Sequence, residues 1–335
     1  MVTLLFLFFV WSHALWIPCS DTDNCKSVDN VDELADRVFR LGKVNYNKVF
    51  NIPKVIHQIW IGGRSPLPYM TAWKTDYIHL CPGWEYRLWN ESSGSRLRFL
   101  SQTTYGRETT LNGKSDLLRV AILREHGGVY IDADSMWLGK KCLDNFTLVA
   151  STTGFFAALE PTPRSLQRRL PCLGHPAPGV MGAIRNHAIL REMARIQERN
   201  VQLKAGMPAW MTVGPLALAE AHKIIGNGPR SSVCMNNLTG DIPSSLPLSI
   251  IYHWKYFYPV SWHDILGTKI DVRMLSDAIM LQYGYTTNSM TSRRPPIQHK
   301  VVKTVPKLGN VTPSLSGRLI QRGGIKAFVK FRARQ

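Results

Sequence analysis

Asp132 and Asp134, one residue apart, follow the apolar run Val129-Tyr130-Ile131. Carboxylates delivered together at the end of a strand suit a hard divalent cation, Mg2+ or Mn2+, which takes one or two protein oxygens and leaves positions for phosphate oxygens. At a strand terminus the two can divide their work between metal and the hydroxyls of a bound ribose or sugar. The spacing alone is a weak signal, because Asp21-Thr22-Asp23 repeats it in a polar segment where nothing prepares a phosphate site. Context separates the two. Gly127-Gly128 turns the chain into the apolar run, and before that turn Asp116 to His126 has a helical pattern, with start signals in Asn112-Gly113-Lys114-Ser115. Asp116 and Arg119 fall on one face of that helix; on spacing alone they are a common i,i+3 surface ion pair of little worth.

The elements that must position these residues are legible upstream. Lys54 to Ile61 is an apolar, β-branched run introduced by Asn51-Ile52-Pro53 and stopped by Gly62-Gly63, as for a buried strand ending in a loop. Trp84 to Trp89, with alternating Trp84, Tyr86 and Leu88, reads as a second strand. Strand, strand, helix and strand in that order predict an α/β sheet whose strand ends carry the site. Downstream, His187 to Asn200 and Pro215 to Ile225 are expected helices, and Ile250 to Val260 is an aromatic, strand-like stretch. Trp210, Trp254 and His253, taken singly, read as core residues.

A chain of 335 residues, 44% hydrophobic, has material for one main domain of ordinary α/β size. The net charge of +18 is mostly a property of the tail: Arg293 to Gln335 holds 11 Lys or Arg and no acidic residue, leaving +7 for the rest. Met1 to Pro18 has no charged side chain and is followed by the polar, acidic run Ser20 to Asn24, the pattern of a secretory targeting segment. Its length leaves cleaved signal and type II anchor both open. Six cysteines form no C-x-x-C pair and permit disulfides without specifying them, and four N-x-S/T sequons begin at Asn90, Asn145, Asn237 and Asn310. The expected organisation is a targeting segment over 1–19, a stem with a leading helix over 20–50, a catalytic domain over 51–292 and a basic tail over 293–335.

The block Lys114-Ser115-Asp116-Leu117-Leu118-Arg119 through Gly127-Gly128-Val129-Tyr130-Ile131-Asp132-Ala133-Asp134 resembles the DXD sugar transferases: fungal Golgi initiating α-1,6-mannosyltransferases, inositolphosphoceramide mannosyltransferases and capsular polysaccharide enzymes. More distantly it resembles the large glucosylating bacterial toxins. Ile52 to Gly63 is similar to the family's first strand, and Trp210-Met211-Thr212-Val213-Gly214-Pro215 to its later T-G-P element. The resemblance implies a GT-A (Rossmann-like) nucleotide-sugar-binding fold with a mixed central sheet and flanking helices, and a retaining transfer. It also implies that Trp60 packs against the nucleotide base, that Asp116 and Arg119 contact donor-sugar hydroxyls, that Asp132 bridges ribose or sugar and metal, and that Asp134 is the main metal ligand. Many relatives carry a His-Trp element late in the domain; here the corresponding place is Gln282-Tyr283-Gly284-Tyr285-Thr286-Thr287-Asn288, so Asn288, Tyr283 or the earlier His253 stand as alternatives for a third ligand.

The expected activity is metal-dependent transfer of a hexose from a nucleotide-diphosphate sugar, GDP-mannose ahead of a UDP-hexose, to a glycan or glycolipid hydroxyl. Mn2+, or Mg2+, is the expected cofactor. The expected setting is the Golgi or endoplasmic reticulum lumen, with membrane association through the N-terminus. Two alternatives from other classes are a catalytically silent GT-A-fold binding protein and a polyanion or nucleic-acid binder acting through the basic tail. A metal-dependent nuclease or phosphatase would need more carboxylates clustered around one site.

Overall fold

The computed structural model describes residues 35, 50–66, 68–138, 142–161, 174–225, 232–234, 249–260, 270–271, 275, 277–282, 298–300 and 328–332. The targeting segment, the stem apart from Ala35 and Phe50, Tyr283, Asn288 and most of the basic tail lie outside these residues.

In chain order the elements are β1 (Val55–Ile59), α1 (Pro68–Leu80), β2 (Glu85–Trp89), α2 (Glu91–Gly94), α3 (Gln102–Arg107), α4 (Leu111–His126), β3 (Gly128–Ile131), β4 (Ser135–Trp137) and α5 (Asp144–Ala150). There follow β5 (Phe155–Pro161), β6 (Gly174–Ala183), α6 (Ala188–Leu203), α7 (Ala209–Thr212), α8 (Pro215–Ile225), β7 (Ser232–Cys234), β8 (Ser249–Tyr252) and α9 (Trp254–Phe257). Four short strands complete the set: β9 (Ile270–Asp271), β10 (Met280–Gln282), β11 (Gln298–Lys300) and β12 (Phe328–Arg332).

A seven-stranded sheet runs in the order β2-β1-β3-β6-β5-β8-β7. The pairs β1/β2, β1/β3, β5/β8 and β7/β8 are parallel, and β3/β6 and β5/β6 antiparallel. This is the mixed sheet with flanking helices expected of a GT-A fold. Val129, Tyr130 and Ile131 of the central β3 are all buried, as a strand covered on both faces requires. Ile56, Val129 and Ile131 pack one face with Tyr77 of α1 and Phe146 of α5; Tyr130, Phe155 and Met181 pack the other with α4, α6 and α8.

Several elements depart from the sequence reading for identifiable reasons. Helix α4 starts at Leu111, because the Thr110 hydroxyl caps it by accepting from the Gly113 amide at 3.1 Å, so Asp116 lies more than a turn inside rather than at the start. In β2 the alternation breaks, with Leu88 exposed and Trp89 buried, where the Trp89 indole donates to His57 Nδ1 at 3.1 Å. The aromatic stretch after Ile250 is a strand only to Tyr252, since His253 Nδ1 accepts from the Lys255 amide and caps the turn of α9. In the tail, β12 pairs with β11 and with β9.

Two features fix the entry into β3 and the position of α1. His57 takes the Trp89 indole N–H on Nδ1, so its Nε2–H is the donor to Gly127 O at 2.8 Å. Gly127 and Gly128 have φ of 66° and 94°, and a methyl group on Gly128 would lie 2.6 Å from Val55 O and 2.9 Å from His57 Nε2. Only glycine fits this turn, which feeds β3. The disulfide Cys81–Cys142, with Cα atoms 5.1 Å apart, joins the end of α1 to the segment after β4.

Burial holds the His57 imidazole neutral, with its pKa lowered to about 3. The unfolded chain binds a proton there below about pH 6.5 and the folded chain does not. His57 therefore contributes stability present above pH 6.5 that is lost as pH falls toward 3. In urea unfolding at a series of pH values between 7 and 4, His57→Gln is expected to lose less stability on acidification than wild type; equal slopes would contradict the buried neutral imidazole. Removing the Cys81–Cys142 link, which closes a separation of 61 residues, is expected to cost about 4 kcal/mol on the chain-entropy estimate. Cys81→Ser and Cys81→Ser/Cys142→Ser should show the same loss by urea unfolding.

Candidate active site

The site is built where β3 ends. Tyr130 and Asp132 fall on the same side of the strand, and the Tyr130 hydroxyl donates to Asp132 Oδ1 at 2.8 Å. From α4, packed on that face, Arg119 Nη2 reaches the same oxygen at 3.1 Å and Asp116 Oδ1 at 3.3 Å, while its guanidinium lies 4.6 Å from the centre of the Tyr130 ring. The i,i+3 pair is thus buried and shared with Asp132, not a surface ornament. Its burial is what changes its meaning: a guanidinium this far from water needs several anionic partners.

The other Asp132 oxygen is claimed from the far end of the chain. β4 and β10 pair antiparallel with Ser135 opposite Gln282, and Gln282 Nε2 donates to Asp132 Oδ2 at 2.8 Å. The main chain of Asp132 is fixed as well. Its N–H donates to Gly179 O at 2.8 Å, and its carbonyl accepts from Gln58 Nε2 at 3.2 Å and from the Ser135 amide at 3.1 Å. Asp134, two residues on, is buried at 2% exposure. Tyr77 of α1 secures the turn by donating to Ser135 O at 2.8 Å.

Two glycines let backbone approach the carboxylates. Between Ala157 and Ala158 the β5/β6 register shifts, and the extra residues of β6 include Gly179. A methyl group there would lie 2.6 Å from Asp132 Oδ2, 2.8 Å from the Tyr258 hydroxyl and 3.2 Å from Gln282 Nε2. Likewise a methyl group on Gly214 would lie 2.8 Å from Asp116 Oδ2.

The electrostatics follow from this crowding. Burial pushes the Asp116 carboxyl up to about 7 against the pull of Arg119, with Asp132 adding to the rise. Burial, and then the charge of Asp132, also push Glu160 of β5 up to about 7. The guanidinium of Arg119 stays protonated throughout.

The expected site residues divide as follows. Asp116, Arg119 and Asp132 are in direct contact, with Asp134 on the adjoining turn. Trp60 lies two residues beyond Gln58 at the same end of β1, half-buried, its indole donating to Arg64 O at 2.5 Å. His253 spends Nδ1 on the cap of α9, and burial lowers its pKa to about 4. Asn288 and Tyr283 are outside the described residues. A cleft of about 500 Å3, lined by Ile61, Glu91, Tyr105, Leu111 and Lys114 among others, opens beside the end of β1. Sequence reasoning missed Tyr130, Gln282, Tyr258, Glu160 and Gly179 as site residues. Tyr130 and Gln282 stood inside motifs already singled out; Glu160, Gly179 and Tyr258 lie in segments with no motif to mark them.

The donor set agrees with a hard cation, since carboxylate oxygens are what Mg2+ and Mn2+ take. Asp132 Oδ1 spends its two lone pairs on Tyr130 and Arg119, whereas Oδ2 accepts only from Gln282 among the bonds described and keeps one for a further partner. Among the described residues no three His, Cys, Asp or Glu side chains form a metal cluster. Two carboxylates at one strand end would leave coordination positions on such a cation for phosphate oxygens.

Comparison with known proteins agrees with this geometry. Residues 70–151 match the family model of the glycosyltransferase sugar-binding region containing the DXD motif. Over those residues the chain is similar to the DXD-motif glycosyltransferases. Inositol phosphoceramide mannosyltransferase 3 of Schizosaccharomyces pombe is 34% identical over 95 residues, 26% of each chain. An uncharacterised glycosyltransferase of Acanthamoeba polyphaga mimivirus is 32% identical over 92 residues, 25% of this chain and 36% of that one. The matches thus span about a quarter to a third of these relatives' length. Among solved structures, the PaToxG glycosyltransferase overlaps 58% of this chain and 77% of its own, with TM-score 0.44 and 16% identity. The catalytic domain of the Clostridium novyi alpha-toxin overlaps 58% and 68%, with TM-score 0.36 and 9% identity. Overlaps of that extent do not bear on what the chain does.

Removing Arg119 would leave the buried Asp116 carboxyl and the half-buried Asp132 carboxylate without the cation they share. Arg119→Ala is expected to lose about 3–5 kcal/mol of stability at pH 9, the usual cost of orphaning a buried charge. The deficit should shrink at pH 6, because Asp116, at about 7 beside Arg119, is pushed higher without it and takes a proton in the folded variant. Urea unfolding of wild type and variant at both pH values checks this; a pH-independent deficit would contradict the shared ion pair.

Proposed function

We propose that the chain is a metal-dependent, retaining glycosyltransferase that moves a hexose from a nucleotide-diphosphate sugar to a hydroxyl of a glycan or glycolipid. The observation that carries this reading is Asp132 at the end of β3, gripped by Arg119, Tyr130 and Gln282 with Asp134 beside it. Asp132 and Asp134 would hold a divalent cation, Mn2+ or Mg2+, which neutralises the donor diphosphate and stabilises it as a leaving group.

The chain's own residues do the positioning. Asp116 and Arg119 stand in fixed relation, and a carboxyl beside a planar guanidinium is complementary to neighbouring sugar hydroxyls. Near neutral pH the Asp116 carboxyl is divided between its charged and neutral forms, so it can accept from a hydroxyl or donate to one. Tyr130 and Gln282 keep the Asp132 carboxylate from rotating. The cleft beside Ile61 offers room for a nucleoside at the strand end where Trp60 sits. No protein nucleophile is assigned: the donor's own phosphate takes the acceptor proton in front-face attack, and rate comes from positioning and charge stabilisation.

Mannose from a GDP donor is the preferred substrate within this reading, and the match to a relative named as a mannosyltransferase supports it. The Cys81–Cys142 disulfide supports an oxidising compartment, and so the Golgi or endoplasmic reticulum lumen. No helix among the described residues is long and apolar enough to cross a membrane; anchoring would fall to residues 1–19. The domain limits 51–292 belong to the same proposal, with β12 of the basic tail pairing with β9 inside them.

The test is a panel of nucleotide sugars, GDP-mannose and UDP-hexoses, assayed for nucleotide release with Mn2+ and with chelator. One donor is expected to turn over with Mn2+ alone, and Asp134→Ala to reduce that turnover at least a hundredfold. Turnover in chelator, or undiminished turnover in the variant, would overturn the assignment.

A further inference from the structure

An exposed aromatic stands at the rim of this site. Trp210 is 45% exposed, and Met207 and Leu203, three and seven residues before it in the chain, are 36% and 75% exposed. This contrasts with the core position that its residue type suggests. The indole is carried by α7, a single turn, and the end of that turn touches the donor site. The point where a methyl group on Gly214 would sit is 3.2 Å from Trp210 Cα and 2.8 Å from Asp116 Oδ2.

The turn is anchored, not loose. Val213 and Gly214 amides both donate to Ala209 O at 2.9 Å, and Asn200 Nδ2 donates to Thr212 O at 2.8 Å. The buried amide of Gln197 donates to Val213 O at 2.6 Å and to Asp116 O at 3.1 Å, so one side chain ties the rim to the helix bearing Asp116 and Arg119. A large aromatic held in water on an anchored support can take a ligand with little further ordering.

We propose that Trp210 is the stacking platform of the acceptor subsite, taking the C–H face of a hexopyranose ring of the acceptor glycan. The chemistry is complementary: a pyranose presents weakly positive C–H groups on one face and hydroxyls at its edge, and the indole face is electron-rich. The occupant is a sugar because the same turn abuts Asp116, placing a stacked ring next to the hydroxyl-binding pair. The inference rests on the proposed transferase function, and names where that reaction's second substrate lies.

Saturation-transfer NMR of the purified chain with methyl α-D-mannopyranoside, mannobiose, lactose and cellobiose tests it without requiring turnover. At least one sugar is expected to give ring C–H signals that fall at least fivefold in Trp210→Ala and Trp210→Leu but persist in Trp210→Phe. Asp134→Ala should keep them, since it disables the donor side alone. No signal from any of the sugars, equal signals in wild type and Trp210→Ala, or equal loss in the Leu and Phe variants would each overturn the proposal. Unchanged sugar signals with phosphatidylcholine-vesicle binding lost in Trp210→Ala would overturn it in favour of a lipid-facing role. A failed nucleotide-sugar panel alongside intact Trp210-dependent sugar signals would count against the transferase reading and not against this subsite.

Discussion

A buried guanidinium is the constraint on which the rest of the site depends. Arg119 has 8% of its side chain exposed, and such a charge can leave water only if anions and donors around it replace the lost hydration. Asp116, Asp132 and the face of Tyr130 do so, and each comes from the same short stretch of chain: helix, Gly-Gly turn, strand. The turn must be tight for α4 and β3 to lie side by side, which is why Gly128 presses against Val55 O and His57. The consequence reaches function directly. Arg119 is one cation shared by Asp116 and Asp132, and Asp132 Oδ2, held only by Gln282 among the bonds described, is left able to meet a hard divalent cation.

The sheet's mixed topology supplies what that stretch cannot. Parallel strands β1 and β3 bring Gln58 and Asp132 to one end, so that Gln58 holds the Asp132 carbonyl while accepting from the Tyr86 hydroxyl at 2.7 Å. The antiparallel neighbour β6 runs past the same end, and its irregular register lets Gly179 close over Asp132 without a side chain in the way. The small β4/β10 pair then returns the chain from well over a hundred residues later to place Gln282 on the remaining oxygen. Each Asp132 oxygen is thereby fixed by a different part of the sequence, and the carboxylate cannot swing away.

The parts of this that were legible in the sequence are those in which local pattern and chemistry coincide. The strand at Val55, the helix before Gly127-Gly128 and the acidic strand end are all local, and so was the helix Pro215–Ile225. Strands β5 and β6 were not recognised, because Gly174 to Ala183 mixes proline, glycine and small residues with no alternation, and its strand character comes from pairing with β3 and β5. The stretch after Ile250 misled because aromatic content argues for strand, whereas a histidine cap redirects the backbone after Tyr252. For the site, Asp116 and Arg119 could be separated from an ordinary surface pair only by resemblance, since burial is not visible in i,i+3 spacing. Glu160 and Tyr258 were invisible for the same reason: their nearness to Asp132 is a tertiary fact.

Gln197 shows how much the second half of the chain contributes through a residue with no chemistry of its own. It lies on α6, a helix whose pattern says only that one face is apolar, and it is buried among Ile196, Asn200 and Val201. An amide buried there would cost more than a leucine unless both its protons found acceptors. They do, in two carbonyls belonging to different elements, Asp116 O on α4 and Val213 O after α7. The helix carbonyl of Asp116 is not at a terminus, so the bond adds a second acceptor role to a group already within the helix. A polar residue thus spends its whole hydrogen-bonding capacity as donor on registering one element against another. An apolar residue of the same size could fill the space but could not fix the angle between them, and the relation of Asp116 to the turn bearing Trp210 would be set by packing alone.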